Sequence, residues 1–269
     1  MTVTHPAAML GVAGWPVAHS RSPAMFAPAL RELGLDWRYV ALPLPPERFT
    51  ETALALGASG YRGINVTLPH KIAAHDLADQ RTPAAAAIGA ANTLTYEDGT
   101  IEADNTDAGG FLDALGGEPR GLRCTVLGAG GSARAVVWAL LDAGAAEVAI
   151  WNRTPERARR LAGELGATAA ERPRAADLIV NCTVVGLGGA GDEAEAVAAV
   201  GLADVDPPAI FFDLVYGEEK TPLARWAERG GARVVDGLEM LVRQGARSLE
   251  RWAGRPAPLD ALRRGAAGG

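Results

Sequence analysis

A glycine-rich turn is the first feature of this sequence that indicates chemistry. Gly128, Gly130 and Ala133 form the pattern G-x-G-x-x-A, between the apolar run LRCTVL and a helix-like stretch. In such a turn the first glycine allows a tight bend and the second lets the backbone approach a pyrophosphate. The small third residue lets helix and strand pack closely. The free N–H groups at the helix start suit phosphate. The pattern predicts a dinucleotide site, with a purely structural glycine turn as the alternative.

The residues after the next strand-like run predict which dinucleotide binds. The run EVAIW ends in Asn152, Arg153 and Thr154, and Arg157 follows one helical turn later. Enzymes that use NAD commonly carry Asp or Glu at this point to hold the ribose 2′-hydroxyl, and a carboxylate there would repel a 2′-phosphate. A guanidinium can pair with that phosphate. We therefore predict NADP; the alternative is that Arg153 and Arg157 form a solvated helix start.

Lysine is scarce in this chain, which draws attention to Lys71. The sequence has 24 arginines and only two lysines, Lys71 and Lys220, and only two glutamines. Arginine stays protonated in proteins, whereas lysine can give up its proton. A lysine retained against this bias indicates proton transfer, although a solvated helix residue is the simpler alternative for Lys71 taken alone.

Short polar side chains cluster in four motifs at predicted strand ends. The motifs are HSRSP, NVTLPHK, AANT and DNTD, and they contribute Ser20, Ser22, Asn65, Thr67, Asn92 and Asp107. Side chains of this kind are the hydrogen-bonding groups that a small polyhydroxylated ligand needs. Helix capping is the alternative for the serines, because Ser22 before Pro23 is typical of a helix start.

The elements that must position these residues alternate between strand and helix. In the first third we predict strands at 9–14, 37–44 and 61–68, helices from Ser22, Pro46 and Lys71, and a final hairpin across the turn EDG. From residue 107 onward the pattern is a helix at 107–115, then strand, glycine turn, helix, strand and helix. Further strands follow at 176–183, 209–216 and 232–237, with a mobile loop or short helix over 186–208. A long helix then runs from Gly237, and a short one precedes the end of the chain.

Composition excludes several other classes of protein. The chain has 269 residues, 48% hydrophobic residues and a net charge of −6, and its charges are interspersed. No basic face indicates nucleic-acid binding, and no apolar run indicates a membrane span or a secretory leader. The cysteines, Cys124 and Cys182, lie in buried-strand patterns, and the four histidines lack metal-ligand spacing. We expect a cytoplasmic enzyme that binds no metal.

Taken in order, the motifs HSRSP, NVTLPHK, GAANT, DNTD, GAGGSARA, NRT and DGLEML resemble the shikimate dehydrogenase family over about residues 9–253. The resemblance implies an α/β protein of two domains: an N-terminal α/β substrate domain and a Rossmann-like NADP domain, with C-terminal helices returning to the first. We expect residues 1–106 with 238–269 to form the substrate domain and 107–237 the NADP domain.

The resemblance also implies roles for individual residues in the reduction of 3-dehydroshikimate to shikimate. Lys71 and Asp107 would be the catalytic pair, Ser20 and Ser22 would hold the substrate carboxylate, and Tyr216 and Gln244 would close over the ligand. Hydroxyl-binding residues would be Asn65, Thr67, Asn92 and Asp107; cofactor-binding residues would be Gly128, Gly130, Gly131, Ser132, Ala133, Asn152, Arg153, Thr154, Arg157, Gly237 and Met240. The only partners expected are small molecules, with the protein a monomer or homodimer.

Two alternatives remain open on the sequence. A quinate or aminoshikimate dehydrogenase would share nearly every motif. An NADP-binding sensor without turnover would share the cofactor motifs, but retention of both Lys71 and Asp107 argues against it. The stretch TVVGL (183–187) departs from the family because it lacks a methionine that usual members carry.

Overall fold

The computed structural model describes residues 8–188, 191–217 and 219–268. The chain divides into two compact units, one formed by Met1–Thr106 with Val242–Gly269 and the other by Asp107–Leu241. The chain returns from the second unit to the first after Leu241, whereas the sequence analysis predicted this boundary after residue 237. Residues 238–241 belong to a helix that begins at Gly237 and continues to Ala253, so no break in the chain marks that boundary.

The first unit holds a six-stranded mixed sheet. Its strands are β1 (Met9–Gly14), β2 (Arg38–Pro43), β3 (Tyr61–Val66), β4 (Gln80–Arg81), β5 (Thr93–Glu97) and β6 (Thr100–Asp104), in the order β2-β1-β3-β5-β6-β4. Its helices before the boundary are α1 (Ser22–Glu32), α2 (Pro46–Leu56), α3 (Lys71–Leu77) and α4 (Pro83–Ile88). The pairs β1·β2, β1·β3 and β4·β6 are parallel, and β3·β5 and β5·β6 are antiparallel. The hairpin predicted across the turn EDG is present as the antiparallel pair β5·β6.

The second unit holds a six-stranded parallel sheet of Rossmann type. Its strands are β7 (Arg123–Leu127), β8 (Glu147–Trp151), β9 (Thr168–Ala169), β10 (Leu178–Asn181), β11 (Ile210–Asp213) and β12 (Arg233–Asp236), in the order β12-β11-β10-β7-β8-β9. Its helices are α5 (Thr106–Leu115), α6 (Gly131–Asp142), α7 (Pro155–Leu165), α8 (Glu193–Ala199) and α9 (Pro222–Arg229). Strands β7, β10 and β11 are almost wholly buried and rich in Val, Ile, Leu and Phe, as parallel strands covered on both faces are. The predicted fold class is confirmed.

Two C-terminal helices, α10 (Gly237–Ala253) and α11 (Leu259–Ala267), complete the chain. Trp252 of α10 is fully buried, and its indole N–H donates to the Leu94 carbonyl at 3.3 Å. Gly63 of β3 makes this packing possible, because a Cβ there would lie 2.5 Å from a ring carbon of Trp252. Helix α11 packs on α1, where a Cβ on Gly265 would lie 2.7 Å from Met25 Cα. Among the described residues, no helix is long and apolar enough to cross a membrane.

One capping expectation is wrong. Helix α1 begins at Ser22, so Ser22 is its first helical residue rather than the residue before it, and the capping position falls to Arg21. Ser20 takes part instead, because its hydroxyl accepts the Ser22 N–H at 3.3 Å. Over 186–208 the structure has the short helix α8, which Asp192 caps by accepting the Glu195 N–H at 2.9 Å. Residues 189 and 190 of that stretch lie outside the described part of the chain.

Candidate functional site

Strand directions bring the polar motifs of the first unit to one edge of its sheet. Strands β1 and β3 are parallel, so the motifs that follow them, HSRSP and NVTLPHK, lie at the same edge. Strand β5 runs the opposite way and pairs Asn65 with Thr93, so its beginning, AANT, lies there too. Strand β6 reverses again and pairs Asp104 with Thr93, which brings DNTD to that edge. Four motifs that are distant in sequence therefore converge.

Lys71 is the first residue of α3 and is buried, with 8% of its surface exposed. Its carbonyl accepts the Ala91 N–H at 2.8 Å, which ties the start of the helix to the AANT motif. A solvated helix residue, the alternative reading of Lys71, does not fit this burial. Lysine is rarely buried without a polar partner, and Lys71 lies beside the other polar motifs.

His70, which the sequence analysis left without a role, anchors the turn before Lys71. Its ring stacks on Phe49 with centroids 4.3 Å apart, and Nε2 lies 2.7 Å from the Leu44 carbonyl. Because a carbonyl only accepts, Nε2 carries the proton. Burial lowers the pKa of His70, and the hydrogen bond to Leu44 opposes that shift. The neutral, stacked ring of His70 therefore anchors the turn immediately before Lys71.

Asn65, Asn92 and Gln244 form one buried hydrogen-bonded group. Asn65 Nδ2 donates to the Asn92 carbonyl at 3.2 Å, and Asn92 Nδ2 donates to Gln244 Oε1 at 3.2 Å. Tyr39 donates to Asn65 Oδ1 at 2.8 Å. Three residues predicted to contact substrate, separated by up to 179 positions, are thus joined within the first unit. Sequence reasoning missed the hydroxyls that complete the group, those of Thr93, Thr106 and Ser248.

The remaining predicted substrate residues lie in loops or at helix starts. Ser20 is half-buried in the turn after β1, and Ser22 is buried at the start of α1. Thr67 follows β3, and its N–H donates to the Ala13 carbonyl at 2.8 Å. Asp107 is buried and is the second residue of α5, directly after Thr106. Tyr216 is half-buried in the segment after β11.

The glycine turn of the second unit has the geometry that its pattern predicts. Gly128 has φ +111°, and a Cβ there would lie 3.0 Å from the Cys182 carbonyl oxygen. A Cβ on Gly130 would meet no atom within 4 Å, so open space adjoins the backbone at this point. Helix α6 begins at Gly131 and Ser132 without a side-chain cap, and Ala133 is fully buried against the sheet. A helix start without a side-chain cap, beside open space, suits a phosphate.

Arg153 and Arg157 are exposed at the start of α7. Within residues 8–188, 191–217 and 219–268, neither guanidinium forms an ion pair with a carboxylate. Asn152 Nδ2 donates to the Thr154 carbonyl at 2.9 Å and shapes the turn that carries Arg153. The exposure of these arginines is consistent with both hypotheses, a site for the 2′-phosphate and a solvated helix start. Because no carboxylate in the described part of the chain pairs with them, their charge is available to an anion.

A buried carboxylate that the sequence analysis did not identify organises the same edge of this sheet, two strands away from the glycine turn. Asp213, 1% exposed at the end of β11, accepts from Asn181 Nδ2 at 2.8 Å, from the Val215 N–H at 3.0 Å and from the Thr221 hydroxyl at 2.5 Å. Burial raises the pKa of Asp213 to about 6, and these hydrogen bonds oppose the rise. Asp213 therefore holds together the loops after β10 and β11 and the start of α9.

Gly237 and Met240 lie in the first turn of α10 beside this group. A Cβ on Gly237 would lie 2.6 Å from the Leu214 carbonyl carbon and 2.8 Å from the Asp213 carbonyl oxygen. Only glycine allows that approach. Met240, three residues further along the helix, is buried. In the loop after β10, Val184 and Leu187 are exposed apolar residues in the stretch that lacks the family methionine.

Comparison with known proteins gives the family. The model of the shikimate dehydrogenase substrate binding domain matches residues 12–94, that of shikimate / quinate 5-dehydrogenase residues 115–198, and that of the shikimate 5'-dehydrogenase C-terminal domain residues 237–264. The shikimate dehydrogenase (NADP(+)) of Methanopyrus kandleri is 42% identical over 273 residues, covering 95% of this chain and 93% of the relative. The chain belongs to the shikimate dehydrogenase family.

Solved structures of shikimate dehydrogenases agree with this membership. The Thermus thermophilus enzyme, in complex with NADP(H) and shikimate, is 40% identical with a TM-score of 0.83, covering 96% of this chain and 98% of that one. The Aquifex aeolicus enzyme is 34% identical with a TM-score of 0.87, covering 98% of each chain. The predicted family resemblance is confirmed over nearly the whole length of both units.

Proposed function

We propose that this chain catalyses the reversible NADP-dependent interconversion of shikimate and 3-dehydroshikimate, a step of aromatic amino acid biosynthesis. The observation that carries the proposal is the convergence of HSRSP, NVTLPHK, AANT and DNTD at one sheet edge, with Lys71 buried among them. The shikimate dehydrogenases that match nearly the full chain support the same reaction.

The residues of the second unit fit NADP. Open space at Gly130, the uncapped start of α6 and the close-packed Gly128 turn suit a pyrophosphate, and Arg153 and Arg157 suit a 2′-phosphate. We propose that Gly131, Ser132, Ala133, Asn152 and Thr154 line the same site, and that Gly237 and Met240 neighbour the nicotinamide. The cofactor, when bound, supplies or takes up the hydride.

The chain's own residues supply placement and a proton. In the reducing direction, protonated Lys71 stabilises the negative charge that grows on the ketone oxygen and donates a proton to it; in the oxidising direction, neutral Lys71 takes that proton back. Asp107 orients Lys71 and the reacting hydroxyl. Two serines, Ser20 and Ser22, hold the substrate carboxylate at the other end of the ring.

The remaining polar residues complete the substrate site in this proposal. Asn65, Thr67 and Asn92 bind ring hydroxyls, and Tyr216 and Gln244 close over the ligand. A set of short hydrogen-bonding groups selects a polyhydroxylated ring because a substrate without those hydroxyls would leave buried polar groups unpaired. We further propose that residues 1–106 with the C-terminal helices bind substrate and that the middle of the chain binds NADP.

A panel of two substrates and two cofactors tests the proposal. Purified protein is incubated with shikimate or quinate, each with NADP or NAD, and reduced nicotinamide is followed by absorbance. The proposal predicts the highest kcat/KM for shikimate with NADP. Quinate is the second candidate because one matching family model covers both shikimate and quinate dehydrogenases, and a higher kcat/KM with quinate would replace the proposal with that activity. No turnover with any pair would contradict both.

The proposal extends to a cytoplasmic enzyme that acts on free small molecules as a monomer or homodimer. Light scattering after size-exclusion chromatography separates these two states from larger assemblies.

A further inference from the structure

Ser248 lies under the predicted substrate-binding residues, at the centre of their hydrogen-bonded group. It is 0% exposed and stands one helical turn after Gln244 on the same face of α10. Its hydroxyl lies within hydrogen-bonding distance of four groups, one on its own helix and three from other parts of the chain. No motif in the sequence pointed to it, and none of the predicted ligand contacts includes it.

The donors and acceptors around Ser248 can be assigned one by one. Its single proton goes to the Gln244 carbonyl at 3.1 Å, since a carbonyl only accepts. The hydroxyl oxygen must then accept from Asn65 Nδ2, at 2.9 Å. Thr93 Oγ1 at 2.9 Å and Thr106 Oγ1 at 3.1 Å are the remaining neighbours, and one of them donates to the second lone pair.

Backbone groups fix which way the two asparagine amides face. Asn65 Nδ2 meets the Asn92 carbonyl, which cannot donate, and Asn92 Oδ1 accepts the Thr106 N–H at 2.7 Å. Of the three acceptors within reach of Asn65 Nδ2, Ser248 is the nearest; the Asn92 carbonyl and Thr93 Oγ1 are both at 3.2 Å. Ser248 is therefore the strongest restraint on the Asn65 amide from α10.

We propose that Ser248 is a positioning residue for substrate binding. Its hydroxyl and that of Thr93 both accept from the Asn65 amide and hold its orientation. Through Thr106, which accepts from Asn92 Nδ2 at 2.9 Å, it also holds the Asn92 amide. In these orientations the two amides bind ring hydroxyls. This inference rests on the proposed function of the site. Loss of the Ser248 hydroxyl removes the shortest of the three hydrogen bonds from Asn65 Nδ2. It also removes one of the acceptors within reach of the threonine hydroxyls, at a depth where water cannot replace it.

Two variants that remove different hydroxyls of the same group test the proposal. Ser248→Ala deletes one hydroxyl, and Thr93→Val replaces the other with a methyl group of the same shape. Thr125→Val is the matched control: Thr125 is 1% exposed, and its hydroxyl donates at 2.9 Å to the Arg174 carbonyl in the second unit. Wild type and variants are compared by KM and kcat for shikimate, KM for NADP, and melting temperature.

Both test variants should raise the KM for shikimate about threefold to tenfold, the range expected for one or two lost hydrogen bonds. The KM for NADP should not change, and kcat should change by less than about twofold, because Asn65 and Asn92 bind ground and transition states alike. Thr125→Val should lower the melting temperature without moving the KM for shikimate. The double variant should raise KM by less than the product of the two single effects, since the two hydroxyls accept from the same Asn65 amide.

A lowered melting temperature with an unchanged KM in both test variants would make Ser248 merely structural and overturn the proposal. Multiplicative effects in the double variant would overturn the network that the proposal requires. If Ser248→Ala fails to fold, the isosteric Thr93→Val decides by the same KM criterion. Absence of shikimate turnover in the wild type would instead contradict the proposed function, so the two failures are distinguishable.

Discussion

Asp213 offers a quantitative test of the second unit, because burial raises its pKa to about 6 from an ordinary value of 3.8. The gap is about two pKa units, and each unit corresponds to about 1.4 kcal/mol, so ionising Asp213 costs the folded protein about 3 kcal/mol. A raised folded-state pKa gives stability that is fully present below pH 3.8 and is lost as pH rises through about 6. At pH 5 about 1.4 kcal/mol of it should be present, and at pH 8 almost none.

Asp213→Asn is the perturbation that isolates this effect. The asparagine Oδ1 can still accept from Asn181 and Val215, and its amide can donate to the Thr221 hydroxyl, but the side chain no longer titrates. The free energy of unfolding is measured in urea for both proteins at pH 8 and pH 5. Relative to the variant, the wild type should gain about 1.4 kcal/mol on going to pH 5.

Asp177→Asn is the control for this experiment. Asp177 is half-buried, and hydrogen bonds from the Arg123 N–H and guanidinium lower its pKa. A lowered pKa gives stability that is present above pH 3.8 and is lost only below it, so this variant should show no relative change between pH 8 and pH 5. If wild type and Asp213→Asn have parallel pH dependence, Asp213 does not titrate in this range and the account of its burial is wrong.

Three further outcomes follow from the site and the core. Arg153→Ala should weaken NADPH binding by about 1.5–3 kcal/mol, the scale of a charge-assisted hydrogen bond, and leave NADH binding nearly unchanged, as measured by fluorescence titration; equal losses would mean that Arg153 serves the fold. Ser20→Ala and Ser22→Ala should raise the KM for shikimate more than they lower kcat, and a loss confined to kcat would put these serines at the reacting carbon. Gly63→Ala should lower the free energy of unfolding by about 1–3 kcal/mol or more, because its methyl group would overlap Trp252; a stability within about 0.5 kcal/mol of wild type in urea would contradict the packing described for α10.

The fold was predictable because its elements have strong local signals. Helix α2 begins at the predicted Pro46, and strand β1 spans the predicted 9–14. Helices α4 and α9 were missed, although each begins at a threonine followed by proline. Thr82 and Thr221 accept the N–H groups of Ala85 and Ala224, so the Thr-Pro pair was a usable signal for both starts. Strands β4 and β9 have two residues each, too few for any periodic pattern.

The site was less predictable than the fold because much of it is a tertiary network. Asparagine is scarce in this chain, with only five residues, and four of them, Asn65, Asn92, Asn105 and Asn181, are buried. Asn105 donates to the Ala90 carbonyl, and Asn181 donates to Asp213. The few asparagines of this chain therefore indicate buried hydrogen bonds rather than ligand contacts alone.

Serine and threonine are common everywhere in a sequence, and their partners become visible only in three dimensions. The hydroxyls of Thr93, Thr106 and Ser248 gave no signal for this reason. Asp213 gave none either, since its neighbours Asn181 and Thr221 are 32 and 8 positions away.

The central claim is that Lys71 transfers a proton, and the turnover of Lys71→Arg with shikimate and NADP tests it most directly. Arginine keeps the positive charge but does not release its proton at any working pH, and it replaces lysine almost everywhere else in this chain. Lys71→Ala, measured alongside, shows the effect of losing the side chain altogether. The account predicts that both variants lose about a hundredfold or more in kcat. A Lys71→Arg protein with near-normal kcat would contradict proton transfer and reduce Lys71 to a charge that positions the substrate.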